Sequence, residues 1–318
     1  MTSRAIKRIM KEKIAYYKNR LDNEGIYIHF DENDVMVAKV LIVGSNDTPY
    51  ENGFYFFKFT FSDQYPHKPP KCIFFTTKGK MKMNPNLYTD GYVCLSLLGT
   101  WTGPSWTSCN TLTSICVSLQ ALVLNKNPIR NEPIYSNITG EPVKRYNRII
   151  TYKNLTTGVL EMINNTPKGF ECFESIILQK FKNNFQWYMD IIEKNKHLTG
   201  ETDIDPIYSR KKITYDYIEL KEYFIQLAVN LGIDVSAFVQ DEDDTPVDNT
   251  PVDNTPVDKN DVHKEAQNIK TTSKYKRQAP NGKAIHFEVG FKKISENNGK
   301  QYFISLGKNG NKYWKKVK

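Results

Sequence analysis

The sequence predicts an α+β domain with an antiparallel sheet, because a helical pattern comes first, strands follow in a block, and helices return only after them. Residues 3–21 have helical periodicity, and three segments typical of strands follow at 26–30, 35–43 and 54–61. Further helical patterns are predicted at about 109–125, 141–150, 169–195 and 215–231. Alternating strands and helices, which would indicate a parallel sheet, are absent from this order.

The first helix is predicted to be amphipathic. Apolar side chains recur near helical spacing on one side: Ile6, Ile9, Met10, Ile14, Tyr17 and Leu21. Basic side chains occupy the other side: Arg4, Lys7, Arg8, Lys11 and Lys18. A basic face of this kind is most often simply solvated.

The strand segments are joined by turn-rich stretches, DEND and GSNDTPYENG, which favour an antiparallel meander. The proline-rich run YPHKPPK closes the meander, because clustered prolines cannot join a central ladder. A short fourth strand, CIFFTT, follows. The chain then lacks clear periodicity as far as Trp106, and long irregular stretches within a domain are often functional.

Five cysteines, an odd number, fit neither a disulfide framework nor a paired zinc motif, so we expect no metal and a reducing, intracellular location in the cytoplasm or nucleus. Four are expected to be structural: Cys72, Cys109, Cys116 and Cys172. Cys94 differs because it lies in the irregular segment, near backbone and Asn donors. The nearest histidines, His29 and His67, lie upstream and no neighbouring cation is evident, so an acyl carrier fits better than a Cys/His hydrolase.

The net charge of +9 over 318 residues is concentrated near one end of the chain. Residues 1–240 hold 29 basic and 24 acidic side chains, 241–258 hold seven acids and no base, and 259–318 hold 15 bases and four acids. TPV repeats at 245, 250 and 255 predict an extended, disordered linker over 241–280. The basic tail, 281–318, has alternation typical of three short strands, and residues 196–240 are predicted as an uncertain helical extension.

Membrane insertion is not expected, because no run approaches the 18 or so apolar residues of a spanning helix and the first residues lack a signal-peptide core.

The run from YPHKPPK through NPNLYTDGYVCLSLLGTWTGPSW to TSICVSLQALV and NPIRNEP resembles a ubiquitin-conjugating (E2) domain. Within that family it is similar to the branch of large hybrid E2/E3 enzymes of the BRUCE (Apollon) type. The likeness covers residues 1–150, or 1–195 with the next helices, and implies the UBC fold.

The resemblance implies roles for individual residues. Cys94 matches the cysteine that carries ubiquitin as a thioester, and Asn86 matches the asparagine that supports the oxyanion region. Pro85 matches the tripeptide's proline, whereas Asn84 stands where most members have histidine, a mainly structural position. Asn131 or Glu132 is nearest to the acid that many members place beside the acceptor lysine.

Two surfaces follow from the same resemblance. The ligase-contact residues would be Pro66, His67, Trp106, Thr107 and Ser108, although His67 replaces a common aromatic. The basic residues Arg4, Lys7, Arg8 and Lys11 would meet the activating enzyme (E1).

The resemblance implies an E2 that receives ubiquitin from E1 and passes it to lysines of substrate proteins, with an E3 ligase or with E3-like independence. It implies no cofactor, since E1 consumes the ATP. Two alternatives stay open: a catalytically silent module that binds ubiquitin or a partner, and an adaptor that binds nucleic acid through the basic tail, where Tyr302, Phe303, Tyr313 and Trp314 would stack on bases.

Overall fold

The computed structural model describes residues 3–77, 82–207 and 212–238, and three strands at 292–294, 301–306 and 312–316. The chain forms two compact units, Met1–Ile233 and Asp234–Lys318. Among the described residues, no helix is both long and apolar enough to cross a membrane. The predicted linker, 241–280, lies outside the described residues.

Helix α1 (Arg4–Lys18) begins at Ser3, whose hydroxyl accepts a hydrogen bond from the Ile6 N–H. The predicted apolar stripe is partly wrong: the buried residues are Ala5, Ile9, Glu12 and Tyr16, while Met10, Ile14 and Tyr17 are 41%, 65% and 46% exposed. Polar atoms fix this rotation of the helix. The Tyr16 hydroxyl accepts from the Ile28 N–H at 2.8 Å, and the buried Glu12 carboxylate accepts from the Leu112 N–H at 2.9 Å.

Four strands form the predicted antiparallel meander, in the order β1 (Ile26–Phe30), β2 (Val37–Val43), β3 (Phe54–Thr60) and β4 (Lys71–Phe74). Strand β3 is buried on both faces, since Phe56 and Phe57 are both 0% exposed. Phe56 packs against Phe170 and Phe173, which belong to the segment between the later helices. Side chains that follow the sheet in sequence therefore cover part of its second face.

Helix α2 (Leu112–Ser118) begins with a capping box between Thr111 and Ser114 and continues as a π-helical turn to Val123. Helix α3 (Glu141–Lys153) continues through a second π-helical stretch into α4 (Met162–Asn164). The single helix predicted at 169–195 is wrong, because the chain breaks at Asn184 into α5 (Glu174–Asn183) and α6 (Phe185–Asn195).

A two-stranded sheet of β5 (Thr202–Ile204) and β6 (Lys212–Thr214) precedes α7 (Tyr217–Asn230). Phe224 of α7 packs against Phe181 and Tyr188, so residues beyond 195 share the core of the first unit. The predicted domain borders at 195, 240 and 280 stay predictions.

The second unit contains β7 (Lys292–Ile294), β8 (Gln301–Leu306) and β9 (Lys312–Lys316), which pair in antiparallel order.

Candidate active site

A turn at Asn84, Pro85 and Asn86 forms one side of the Cys94 environment, which we call the polar side. Asn84 is 0% exposed, and its side chain makes three hydrogen bonds within the protein. Its amide nitrogen donates to the Tyr50 hydroxyl at 2.8 Å and to the Val123 carbonyl at 2.7 Å, and its oxygen accepts from the Asn86 N–H at 2.8 Å. A neutral asparagine therefore closes the turn at the position where the resemblance implies that most members have histidine.

Asn86 and Cys94 are joined by two hydrogen bonds. The Cys94 N–H donates to the Asn86 carbonyl at 2.9 Å, and the Asn86 side-chain amide donates to the Cys94 carbonyl at 3.0 Å. The Asn86 side-chain oxygen is buried and finds no hydrogen-bond partner among the residues that the structure describes. These contacts hold the backbone of Cys94 on both sides of its Cα atom.

Three ionisable side chains affect the pKa of the Cys94 thiol, and we call Lys82, Tyr88 and Glu132 the charged side. The influence of the Tyr88 side chain lowers the pKa of the Cys94 thiol. The Lys82 Nζ lies 3.5 Å from the centroid of the Tyr88 ring. No neighbouring cation is evident from the sequence, and the structure supplies one: Lys82 acts on the thiol because the folded loop brings its charge within range.

Burial raises the pKa of the Cys94 thiol and is the dominant effect, while the side chain of Tyr88 and the charge of Lys82 lower this pKa and the charge of Glu132 raises it. The pKa of Lys82 is itself lowered to about 8, chiefly by burial. Lys82 is therefore still mostly protonated at neutral pH.

The other cysteines lack this combination of contacts. Burial raises the pKa of the Cys72 thiol well above its ordinary value, and raises that of Cys116 as well. Cys109 and Cys172 are exposed. Within the described residues, no three His, Cys, Asp or Glu side chains cluster in a way that would hold a metal ion.

The two candidates for the acceptor-lysine side separate clearly. The Asn131 amide donates to the Val123 carbonyl at 3.1 Å, and its oxygen accepts from Asn125 at 2.7 Å, so it is used within its own loop. The charge of Glu132 instead acts on both Cys94 and Lys82.

The predicted ligase-contact residues lie on two loops that touch. The Trp106 indole donates to the Pro66 carbonyl at 2.7 Å. His67 lies 3.4 Å from the Ser108 hydroxyl through one ring nitrogen and 3.3 Å from the Arg4 guanidinium through the other. The neighbouring Thr107 hydroxyl donates to Asn110 at 3.0 Å. The two loops thus form one surface that also meets α1.

Of the four basic residues predicted to meet E1, three are exposed: Arg4, Lys7 and Lys11. Arg8 is half-buried, donates to the Asn110 carbonyl at 2.7 Å and pairs with Glu12. Arg8 is therefore less exposed than the other three basic residues, because it links α1 to the loop before α2.

The four-stranded meander, the irregular loop with its buried cysteine and the helices that follow define the ubiquitin-conjugating (UBC) fold. The sequence model described as "Ubiquitin-conjugating enzyme" matches residues 8–151. Ubiquitin-conjugating enzyme E2 Z of Xenopus tropicalis is 32% identical over 222 residues, which span 69% of this chain and 69% of that protein. The chain belongs to the ubiquitin-conjugating enzyme (E2) family, a family of transferases.

Two human relatives extend this comparison. Human ubiquitin-conjugating enzyme E2 Z is 33% identical over 216 residues, 67% of this chain but only 60% of that protein. The human dual E2 ubiquitin-conjugating enzyme/E3 ubiquitin-protein ligase BIRC6 is 32% identical over 243 residues, 70% of this chain and 5% of that protein. The predicted similarity to the hybrid branch is confirmed, and the chain is similar to E2 Z proteins at about the same level of identity.

Proposed function

We propose that this chain accepts ubiquitin on Cys94 as a thioester and transfers it to lysine amines of substrate proteins. One observation carries the proposal: the buried Cys94 has both its backbone N–H and its carbonyl held by hydrogen bonds with Asn86. Membership of the E2 family supports the same chemistry. The role of the other site residues follows from this assignment.

In the first step, the Cys94 thiolate attacks the thioester carbonyl carbon of ubiquitin bound to E1. The new C–S bond to Cys94 forms, the bond to the E1 cysteine breaks, and that cysteine leaves as a thiolate. The step needs no cofactor on this chain, because E1 has already consumed ATP to make the thioester. A reducing intracellular compartment, which keeps Cys94 as a thiol, suits this step.

In the second step, a lysine amine attacks the Cys94 thioester. A C–N bond forms, the C–S bond breaks, the nitrogen loses a proton, and Cys94 leaves as a thiolate. Because free lysine has a pKa of about 10.4, a nearby carboxylate helps to position the amine and favours its loss of a proton. Glu132 fits this role better than Asn131, and Asn86 supports the oxyanion region by holding the Cys94 carbonyl.

Two surfaces of the first unit are proposed to contact partner proteins. The exposed Arg4, Lys7 and Lys11 are the proposed contacts for E1. The joined loops with Pro66, His67, Trp106, Thr107 and Ser108 are the proposed contacts for an E3 ligase. A more specific proposal is that the chain transfers ubiquitin to lysine without any ligase, which the human relative named as a dual E2/E3 enzyme supports.

The test is a loading reaction with activating enzyme, ATP and ubiquitin. We expect a ubiquitin adduct that thiol reagents release, that disappears in Cys94→Ala, and that persists in the matched control Cys109→Ala. Omitting a ligase during lysine discharge tests E3-like independence, and replacing ubiquitin by its relatives tests the modifier.

No adduct with several activating enzymes would contradict the catalytic proposal. Ubiquitin binding without an adduct would favour the silent module. Salt-dependent DNA or RNA binding that is lost on removal of 281–318 would favour the nucleic-acid adaptor.

A further inference from the structure

A short segment beyond α6 is tied to the loops of the candidate active site. It comprises residues 202–206, which include strand β5, and we call it the strap. The Asp205 carboxylate accepts a hydrogen bond from the Lys153 ammonium at 3.2 Å, and the same ammonium donates to the Lys82 carbonyl at 3.0 Å. Because Lys82 lies just before the Asn84 turn, the strap is connected to the polar side of the site.

The strap also contacts the loop that carries the acceptor-side candidates. The Pro206 carbonyl accepts a hydrogen bond from the Tyr135 hydroxyl at 3.2 Å. This loop and the Asn84 turn meet at one atom, since the Val123 carbonyl accepts from the Asn84 amide at 2.7 Å and from the Asn131 amide at 3.1 Å. The strap is therefore joined to two loops that share a hydrogen-bond partner.

Helix α3 anchors the strap. The Asp203 carboxylate lies 3.4 Å from the Arg145 guanidinium and 3.3 Å from the Arg148 guanidinium, both on α3. These pairs are partly exposed, whereas the Lys153 and Asp205 side chains are 4% and 5% exposed. Loss of one partner costs more in the buried pair, because the remaining charge has little access to water.

The loop before the turn is held at successive residues. After the Lys82 carbonyl, the Met83 carbonyl accepts from the Tyr50 hydroxyl at 2.9 Å, and the Asn84 amide donates to that same hydroxyl at 2.8 Å. The first contact in this series comes from Lys153, whose charge is paired with the strap.

We propose that the strap is a positioning element for ubiquitin transfer, in which Asp205 holds the Lys153 ammonium against the Lys82 carbonyl and so fixes the loop that leads to Cys94. Asp205 and Lys153 act through the backbone of Lys82 and are positioning residues. The strap lies beyond residues 8–151, which match the family's sequence model, and so adds to the matched domain. The inference rests on the proposed function and names a further part of the chain that serves it.

The physical argument concerns the buried ammonium. Without the Asp205 carboxylate, Lys153 is a buried charge without that counter-ion, and it gains free energy by moving toward water. The Lys82 carbonyl then loses its donor. Ubiquitin transfer is sensitive to this change, because a misplacement of about 1 Å can slow a reaction by about a hundredfold.

The test is hydrogen–deuterium exchange of the full-length protein, read by mass spectrometry in residues 83–95 and, as an internal reference, in residues 26–43 of the meander. In Asp205→Ala we expect exchange in 83–95 to accelerate by about tenfold, the change that loss of one ordinary hydrogen bond produces. The matched control is Glu193→Ala, which breaks exposed ion pairs with Lys196 and Lys221 and should leave both regions unchanged.

The double variant Lys153→Met with Asp205→Leu separates positioning from general stability. Removing both charges should return urea unfolding close to that of the wild type. Exchange in 83–95 should stay fast, and discharge of preloaded ubiquitin to free lysine should stay about tenfold slower than in the wild type, because the Lys82 carbonyl still lacks its donor.

Three results would overturn the proposal. The first is wild-type exchange in Asp205→Ala, and the second is recovery of exchange and discharge together with stability in the double variant. The third is an equal acceleration in 83–95 and 26–43, since the pair would then support the whole unit and not the loop. Because exchange needs no ubiquitin, failure of the loading reaction with the expected exchange pattern would count against the proposed function and not against the strap.

Discussion

The polar side and the charged side of Cys94 are built differently. On the polar side, Asn84 and Asn86 are buried and neutral, and their hydrogen bonds run to backbone carbonyls, a backbone N–H and one hydroxyl. On the charged side, Lys82 and Glu132 carry charges whose effects on the thiol oppose each other. The first set of contacts holds the backbone that carries the sulfur, and the second contains the charges that act on the pKa of the thiol.

This division has a physical basis. Neutral hydrogen bonds inside a protein are short-ranged and directional, so they determine backbone geometry but add little net field at the sulfur. Charges act over longer distances and are weakened by solvent, so a half-buried cation and carboxylate can adjust a pKa without altering the fold. Position and reactivity can therefore be changed separately by substitution.

The largest loss of stability is expected from substitution of Asp205, which pairs with the Lys153 ammonium that binds the Lys82 carbonyl. The Lys153 and Asp205 side chains are 4% and 5% exposed, so Asp205→Ala leaves a buried ammonium without its carboxylate. We expect unfolding free energy to fall by about 3–5 kcal/mol. Urea unfolding measures this change, and the exposed pair Arg20 and Asp22 provides the control, since Asp22→Ala should cost about 1 kcal/mol or less.

Equal losses in the two variants would contradict the idea that the Lys153–Asp205 pair holds the Lys82 loop. Replacing both members of the pair by Met and Leu should recover most of the loss, because no buried charge is then left alone.

A smaller effect is expected on the polar side from Asn84→His, which introduces the family's more common residue. Asn84 gives two donors and one acceptor to Tyr50, Val123 and the Asn86 N–H. A neutral imidazole has only one donor and one acceptor, so one buried partner is left unpaired. We expect a loss of about 1–3 kcal/mol in urea unfolding.

Tyr50→Phe, which removes one of those partners, should make the Asn84→His substitution less costly than it is in the wild-type background. If Asn84→His is as stable as the wild type, the neutral network is not what holds this turn.

Much of the fold is predictable from local pattern. The strands at 26–30, 35–43 and 54–61 are rich in β-branched and aromatic residues and are bounded by turns, and the structure confirms the meander with β1 at Ile26–Phe30. The rotation of α1 was not predictable from hydrophobicity, because burial of Glu12 depends on Arg8, Tyr65 and the Leu112 N–H, which are mostly distant in sequence.

At the site, too, the sequence does not predict contacts between residues that lie in different loops. Cys94 and Asn86 stand in a recognisable local run, so the sequence indicates both. Lys82 and Glu132 have no local signal of a role at the thiol, because two loops without periodicity must fold back before their charges act on Cys94. The break at Asn184 was likewise hidden within a continuous apolar stripe.

The most direct test of the separation between position and reactivity is the rate at which the preloaded enzyme discharges ubiquitin to free lysine. In Asn86→Ala the Cys94 carbonyl loses its side-chain partner, and we expect discharge to slow by about a hundredfold or more, as is typical when one oxyanion-region donor is removed. In Tyr88→Phe discharge should change by only a few-fold, because that substitution alters mainly the basicity of the leaving thiolate. Equal slowing in the two variants would contradict the account.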